Sequence, residues 1–270
     1  MKQSELTILI PSFSPEHHEL TGRALSFCLE SLKETFNGEV IVAYNGEKTP
    51  YPVGQCAATN RVAKEVKTEW IMVSNNDMTY PPGWFNLLKE AVDNWGLLCA
   101  SPNLVEPRKG APPFIEHFCG GVGTMDGPPD FDKQKFIKFV ETYSEHENRP
   151  ETVIEDGFNM PLFIRKDVWD TVGGYDEEYD PWGSNSDSDL QYKLMVAGVN
   201  PTRVRSALVY HFSNTSGTFH PDHRDAWEEN WRYFTKKWGV ERASSPEIWY
   251  RPSLEGITFK PEWKDKYANN

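Results

Sequence analysis

Cysteine is scarce in this 270-residue chain: Cys28, Cys56, Cys99 and Cys119 are all it has, with no Cys-x-x-Cys pair and no metal-type spacing. The compact cysteine metal motifs are thereby excluded, and small buried hydrophobes remain as the reading of the four. No apolar run approaches the roughly 18 residues that a membrane span requires. The start, Met1-Lys2-Gln3-Ser4-Glu5, runs straight into an apolar segment and lacks a signal-peptide layout. A soluble, cytoplasmic protein is the expectation. Positive charge is also short: 28 Lys and Arg against 40 Asp and Glu leave a formal net charge of −12. That balance argues against a broad, nonspecific grip on nucleic acid or anionic membrane. Internal repeats and low-complexity segments are absent too.

What the sequence has is alternation. Leu6-Thr7-Ile8-Leu9-Ile10 is an apolar run stopped by Pro11, and Val40-Ile41-Val42-Ala43 is another, closed by Asn45-Gly46. Trp70-Ile71-Met72-Val73 is the third, and a fourth runs from Leu97 to Ser101. Between them, helical spacing covers Leu20 to Phe36, Ala57 to Val66 and Trp84 to Trp95. Continuous apolar strands alternating with helices predict a parallel sheet covered on both faces. From Pro102 to Pro150 the pattern loosens into proline, glycine and charge, with a loop from Cys119 to Met125. Regularity resumes at Phe158 to Arg165, followed by helices at Lys166 to Val172 and Asp187 to Val196 and a strand at Arg203 to Tyr210. Trp227, Trp231 and Phe234 then recur at helical spacing and predict a helix packed on the body.

In open α/β sheets, ligands bind outside the carboxyl ends of the strands. The third strand delivers Asn75-Asn76-Asp77 to that place. The residues around it resemble a known family. "LTILIPSFSP" is similar to the first strand of GT-A glycosyltransferases of the family-2 type, and "EVIVAYNGE" to their second strand and its turn. "GQCAATNRVAKEVKTEWIMVSNND" resembles the helix bearing an asparagine and the strand that ends in Asp-x-Asp. "FIRKDVWDTVGGYDEEYDPWGSNSDSDLQYKLMVAGV" resembles the Gly-Gly-Phe-Asp-Glu segment followed by Glu-Asp-x-Asp-Leu, and "ALVYHFSNTS" the next strand with its histidine.

The resemblance implies an α/β GT-A fold, Rossmann-like, with a mostly parallel central sheet flanked by helices and a C-terminal aromatic-rich extension. Residues 1–220 would form the GT-A domain, with a nucleotide-sugar half (1–101) and an acceptor half (102–220), and 221–270 a helical or extended appendage packed on it. The implied activity is metal-assisted transfer of a sugar from a nucleotide-sugar donor to a hydroxyl acceptor, with inversion. The acceptor stays open: a glycan, a protein, a small molecule or a modified nucleobase. A degenerate carbohydrate- or nucleotide-binding protein without turnover is the alternative, motivated by the replaced acids at Asn75 and Ser186. A nucleotidyltransferase would want a Gly-rich, Lys- or Arg-bearing loop after the first strand, and "IPSFSPEHHEL" has none.

Residue by residue, Asp77 is either a turn aspartate ahead of Pro81-Pro82 or the ligand of Mn²⁺ or Mg²⁺, which prefer oxygen donors. His211 is either a near-core histidine or the second metal ligand. Asp187 is either a favourable acid at a helix N-terminus or the general base that deprotonates the acceptor. Asp189 reads as a brace. The resemblance places the donor against Pro11, Ser12, Phe13, Tyr44, Asn45, Asn60, Asn75 and Asn76. Trp182 and Gly183 are either a loop anchor or the acceptor platform, since an aromatic face packs well on a sugar's C–H face.

Overall fold

A computed structural model of the chain describes residues 2–13, 19–45, 54–106, 131–146, 154–156, 160–212, 215 and 223–239. The apolar runs become strands β1 (Leu6–Phe13), β2 (Glu39–Asn45), β3 (Trp70–Val73) and β5 (Cys99–Val105). The short β4 (Met78–Thr79), β6 (Ile154–Asp156), β7 (Leu162–Arg165) and the long β8 (Thr202–His211) complete one sheet, ordered β2-β1-β3-β7-β5-β8-β4 with β6 on β8. The helices are α1 (Glu19–Thr35), α2 (Gln55–Glu65), α3 (Trp84–Trp95), α4 (Lys133–His146), α5 (Lys166–Val172), α6 (Ser186–Val196) and α7 (Arg224–Trp238).

β2, β1 and β3 run parallel, as the apolar alternation predicts. β7 then enters between β3 and β5 antiparallel to both, and β8 lies parallel to β5. A strand buried on both faces reads the same in either direction, so its sequence fixes burial and leaves polarity open. β3 and β5 are buried at every residue, and Trp70 stacks on Phe163 across the β3–β7 pair at 4.7 Å.

Between 102 and 150, the described residues 102–106 and 131–146 are more regular than their sequence suggests. β5 continues to Val105, and α4 follows with Phe136 and Val140 on one face, packed with Val105, Leu208, Tyr210 and Phe212 in a separate apolar cluster. The expected loop around Cys119 and the start of the regular stretch expected from Phe158 lie outside the described residues. Cys28, Cys56 and Cys99 are free and buried.

α7 seats Trp231, Phe234 and Trp238 in the main core, with Tyr192 of α6 against both Phe234 and Trp238. Residues 240–270 lie outside the described residues. Among the described residues no helix is long and apolar enough to cross a membrane.

Candidate active site

β3 ends at Val73, and the chain turns through Asn75-Asn76-Asp77 into β4, whose Met78 sits opposite His211 at the end of β8. This pairing brings Asp77 and His211 together. His211 Nε2 lies 3.3 Å from Asp77 Oδ1, and Thr215 donates its hydroxyl to Asp77 Oδ2 at 2.9 Å. On the far side of the ring, His211 Nδ1 meets Glu106 Oε1 at 2.5 Å. Glu106 follows the last residue of β5, one strand over. Burial by itself would push the Asp77 carboxyl up; the His211 charge and the Thr215 bond outweigh it and hold it below its usual value. Burial would likewise lower His211, but the two flanking carboxylates carry its pKa up to about 10.

These residues fit a divalent cation. Neighbouring ligands about 2.1 Å from an octahedral centre stand about 3 Å apart, close to the Asp77–His211 separation. A carboxylate on the second ring nitrogen is the usual way a metal-binding imidazole is fixed in tautomer and orientation. Glu106 takes that position behind the ring. Among the described residues no cluster of three or more His, Cys, Asp or Glu encloses a metal, so Asp77 and His211 form an open pair rather than a cage.

The second part of the site is built on α6. Asp187 stands in its first turn and accepts the Tyr175 hydroxyl at 2.9 Å through Oδ1. Tyr175 is itself fixed by Asn60: its N–H donates to Asn60 Oδ1, and Asn60 Nδ2 donates to the Tyr175 carbonyl, both at 2.9 Å. Gly174, at φ +60°, makes this approach possible, because a Cβ there would stand 2.4 Å from Asn60 Oδ1. Burial raises the Asp187 carboxyl to about 6; the Tyr175 bond and the His211 charge oppose that shift without cancelling it.

No protein-family model matches the sequence, and no curated protein matches it. Solved structures resemble it in shape. GalNAc-T7, crystallised with UDP, GalNAc and Mn²⁺, superposes with a TM-score of 0.52 at 13% identity, over 90% of this chain and 53% of that one. S. aureus TarS superposes with a TM-score of 0.51 at 11% identity, over 96% of this chain and 41% of that one. The chain has the GT-A fold. It spans about half the length of these two structures or less.

On the GT-A sheet the expected donor residues gather at the ends of β1, β2 and β3. Ser12 pairs with Tyr44 and Phe13 with Asn45 in the β1–β2 register, after a half-buried Pro11. Asn76 Nδ2 donates to Ser12 Oγ at 3.1 Å, joining the β3 turn to this edge. Tyr44 is 38% exposed, and Arg61 reaches only its carbonyl, at 3.5 Å. Asn75 is half-buried next to them. Asn60 stands apart from this group. Both ends of its amide are engaged by Tyr175, with Glu177 as a further acceptor at 2.9 Å, so it serves the base side as a brace.

Trp182 stacks on His223 with ring centroids 3.5 Å apart. Gly183, at φ +68°, leaves room for Gln55, whose Nε2 would stand 2.1 Å from a Cβ there. Asp189 is fully buried and points away from the site, accepting Trp238 Nε1 at 2.7 Å.

Three participants escape a reading of the sequence: Glu106, Tyr175 and Asp180. Glu106 carries the same signal as Asp77, an acid at the carboxyl end of an apolar strand. Asp180 caps α2 from more than a hundred residues away, accepting the N–H groups of Cys56 and Ala57, each at 2.9 Å. Gly54 admits it, since a Cβ there would overlap the Asp180 side chain.

Proposed function

We propose that the chain is a metal-dependent glycosyltransferase that moves a sugar from a nucleotide-sugar to a hydroxyl acceptor with inversion. The observation that carries this reading is the Asp77–His211 pair with Glu106 behind the ring, set at the strand ends where this fold receives ligands. GalNAc-T7, of the same fold, holds UDP and Mn²⁺. Asp77 and His211 would hold Mn²⁺ or Mg²⁺, which when bound supplies Lewis-acid neutralisation of the departing diphosphate. The open pair leaves the cation's other positions for phosphate oxygens and water.

Ser12, Tyr44, Asn45, Asn75 and Asn76, with the Pro11–Phe13 backbone, would cradle the nucleotide. Asp187 would take the acceptor's proton as the acceptor oxygen bonds the anomeric carbon and the bond to the diphosphate oxygen breaks. Tyr175 engages Asp187 Oδ1 and leaves Oδ2 for that proton. A carboxyl poised near 6 is ionised at neutral pH yet basic enough to act, as general base catalysis requires. The Trp182–Gly183 turn precedes α6 and would flank the acceptor, its ring backed by His223.

Calorimetric titration with UDP, GDP, dTDP, CDP and ADP, each with Mn²⁺ and with chelator, tests the reading. One nucleotide is expected to bind with metal only, and Asp77→Ala to weaken it by roughly two orders of magnitude or more, as loss of a direct ligand implies. Equal binding in chelator, or none in any condition, would sink the metal–diphosphate assignment. Metal-dependent binding without turnover on any acceptor would favour the degenerate binding protein. Glu106→Gln keeps an acceptor for Nδ1–H but removes the charge, and Mn²⁺ affinity is expected to fall roughly 10–100-fold. Titration of free Mn²⁺ by its paramagnetic resonance signal reads this directly. An unchanged affinity would leave Glu106 a bystander.

A further inference from the structure

Helix α2 holds the segment between α5 and α6 at two points. Towards α6, Asp180 accepts the N–H groups of Cys56 and Ala57. Towards α5, the Asn60 side chain pairs with the backbone of Tyr175 as a neighbouring strand would. The Tyr175 N–H donates to Asn60 Oδ1, and Asn60 Nδ2 donates to the Tyr175 carbonyl, both at 2.9 Å. Nδ2 also donates to Glu177 Oε1 at 2.9 Å. Both ends of an amide that is 8% exposed are thus spent on this segment.

The residues around the clamp give it consequence. Gly173 and Gly174, both at positive φ, precede Tyr175, and glycine lacks the steric limits that would fix the course of the chain. The Tyr175 ring stands edge-on to Trp169 at 5.4 Å and brings its hydroxyl to Asp187 Oδ1 at 2.9 Å. Burial and the Asp187 charge push that hydroxyl's pKa far up, so it stays protonated and remains a donor. The titratable groups that act on Asp187 or respond to it are Tyr175, His211 and Cys56. Of these, Tyr175 alone owes its place to a side chain of α2.

We infer that Asn60 is a positioning residue for the reaction: by pinning the Tyr175 backbone it holds the hydroxyl that orients Asp187. The inference rests on the reading of Asp187 as the base. The same contacts argue against a donor-binding role, because a nucleotide could take the amide only by displacing the Tyr175 backbone.

The test follows the Asp187 carboxyl itself by carbon NMR titration, its signal assigned by its absence from Asp187→Asn. Tyr175→Phe removes only the hydroxyl. A hydrogen bond to the ionised form lowers a carboxyl's pKa, so its loss is expected to move the titration up by about one pH unit. Asn60→Ala suits a helix interior and removes both arms of the clamp, and the same upward displacement is expected. In the double variant the two effects should not add, since one residue acts through the other. Asn60→Gln keeps an amide but sets it one methylene out of register; it serves as a second probe should the alanine variant fold poorly. Calorimetric UDP–Mn²⁺ affinity is expected to stay within twofold in both Asn60 variants.

A brace for the fold alone would lower the melting temperature of the Asn60 variants and leave the Asp187 titration in place, which would overturn the inference. Displacements that add in the double variant would overturn it too. A tenfold or greater loss of UDP–Mn²⁺ affinity would return Asn60 to the donor side, with the transferase reading intact. If wild type binds no nucleotide, the transferase reading fails and the inference falls with it.

Discussion

Asp187→Asn is expected to cut kcat by roughly 10²–10⁴-fold, the range that general base catalysis contributes, while nucleotide binding persists. The asparagine keeps an oxygen for the Tyr175 hydroxyl, so the loop geometry survives and only the proton acceptor is lost. Wild-type turnover should fall as pH drops through about 6, because the carboxyl must be ionised to act and burial has raised it to that value. The same burial has a cost in stability. A carboxyl raised in the fold from 3.8 to about 6 contributes stability in full below its ordinary value and loses that contribution as pH rises through 6. At neutral pH the ionised Asp187 therefore destabilises the fold by an amount on the order of 2–3 kcal/mol. The neutral amide of Asp187→Asn escapes this penalty, so the variant should melt a few degrees higher at pH 7, an advantage that vanishes near pH 4. Retention of most of the wild-type kcat would remove Asp187 from the base role, and a lower melting temperature at pH 7 would make its charge structural.

Much of this site can be read in the sequence because each part lies at the end of an element whose burial is written in its residues. The runs at Leu6, Val40 and Trp70 announce strands, and Ser12, Asn45 and Asp77 stand at or just beyond their carboxyl ends. What stays hidden is pairing across long separations. Asn60 looks like a donor contact because its helix follows β2, yet its amide is engaged 115 residues away at Tyr175. Glu106 becomes meaningful only once β5 and β8 are seen side by side, with Val105 opposite Tyr210. Helix α4 escapes notice because its apolar residues cover a small separate cluster rather than the main core. The direction of β7 is hidden for a different reason: Leu162, Phe163 and Ile164 are buried and encode no polarity. Between Asp187 and Asp189 the sequence offers two acids on one helix. Residues two apart are about 200° apart around an α-helix, so only one of them can face the site. Which one it is depends on what α7 covers.

Asp189→Ala is accordingly expected to act on stability, by about 3–5 kcal/mol, the cost of removing one partner from a buried charged group. Asp189 Oδ1 accepts Trp238 Nε1 at 2.7 Å, the Tyr179 hydroxyl at 3.2 Å and Lys237 Nζ at 2.7 Å. Lys193, almost fully buried, lies 4.0 Å from Oδ2 and donates to the Gly174 carbonyl. Alanine would leave the indole N–H without its acceptor, remove one of the two carboxylates on Lys237 and strip the nearest negative charge from Lys193. Asp176, 2.6 Å from Lys237, would hold that lysine in part, which keeps the expected loss nearer the lower end. Asp189→Asn retains an acceptor for Trp238 and Tyr179 and loses only the charge, so it should cost less than the alanine. Urea midpoints of the two variants, with the slope checked for two-state behaviour, measure the difference. Because Lys193 also holds Gly174, beside the tyrosine that orients Asp187, the alanine should lower kcat as well, but only in proportion to the folded fraction and the loosened turn. An Asp189→Asn protein of wild-type stability that has lost turnover would reverse the assignment and make Asp189 the base.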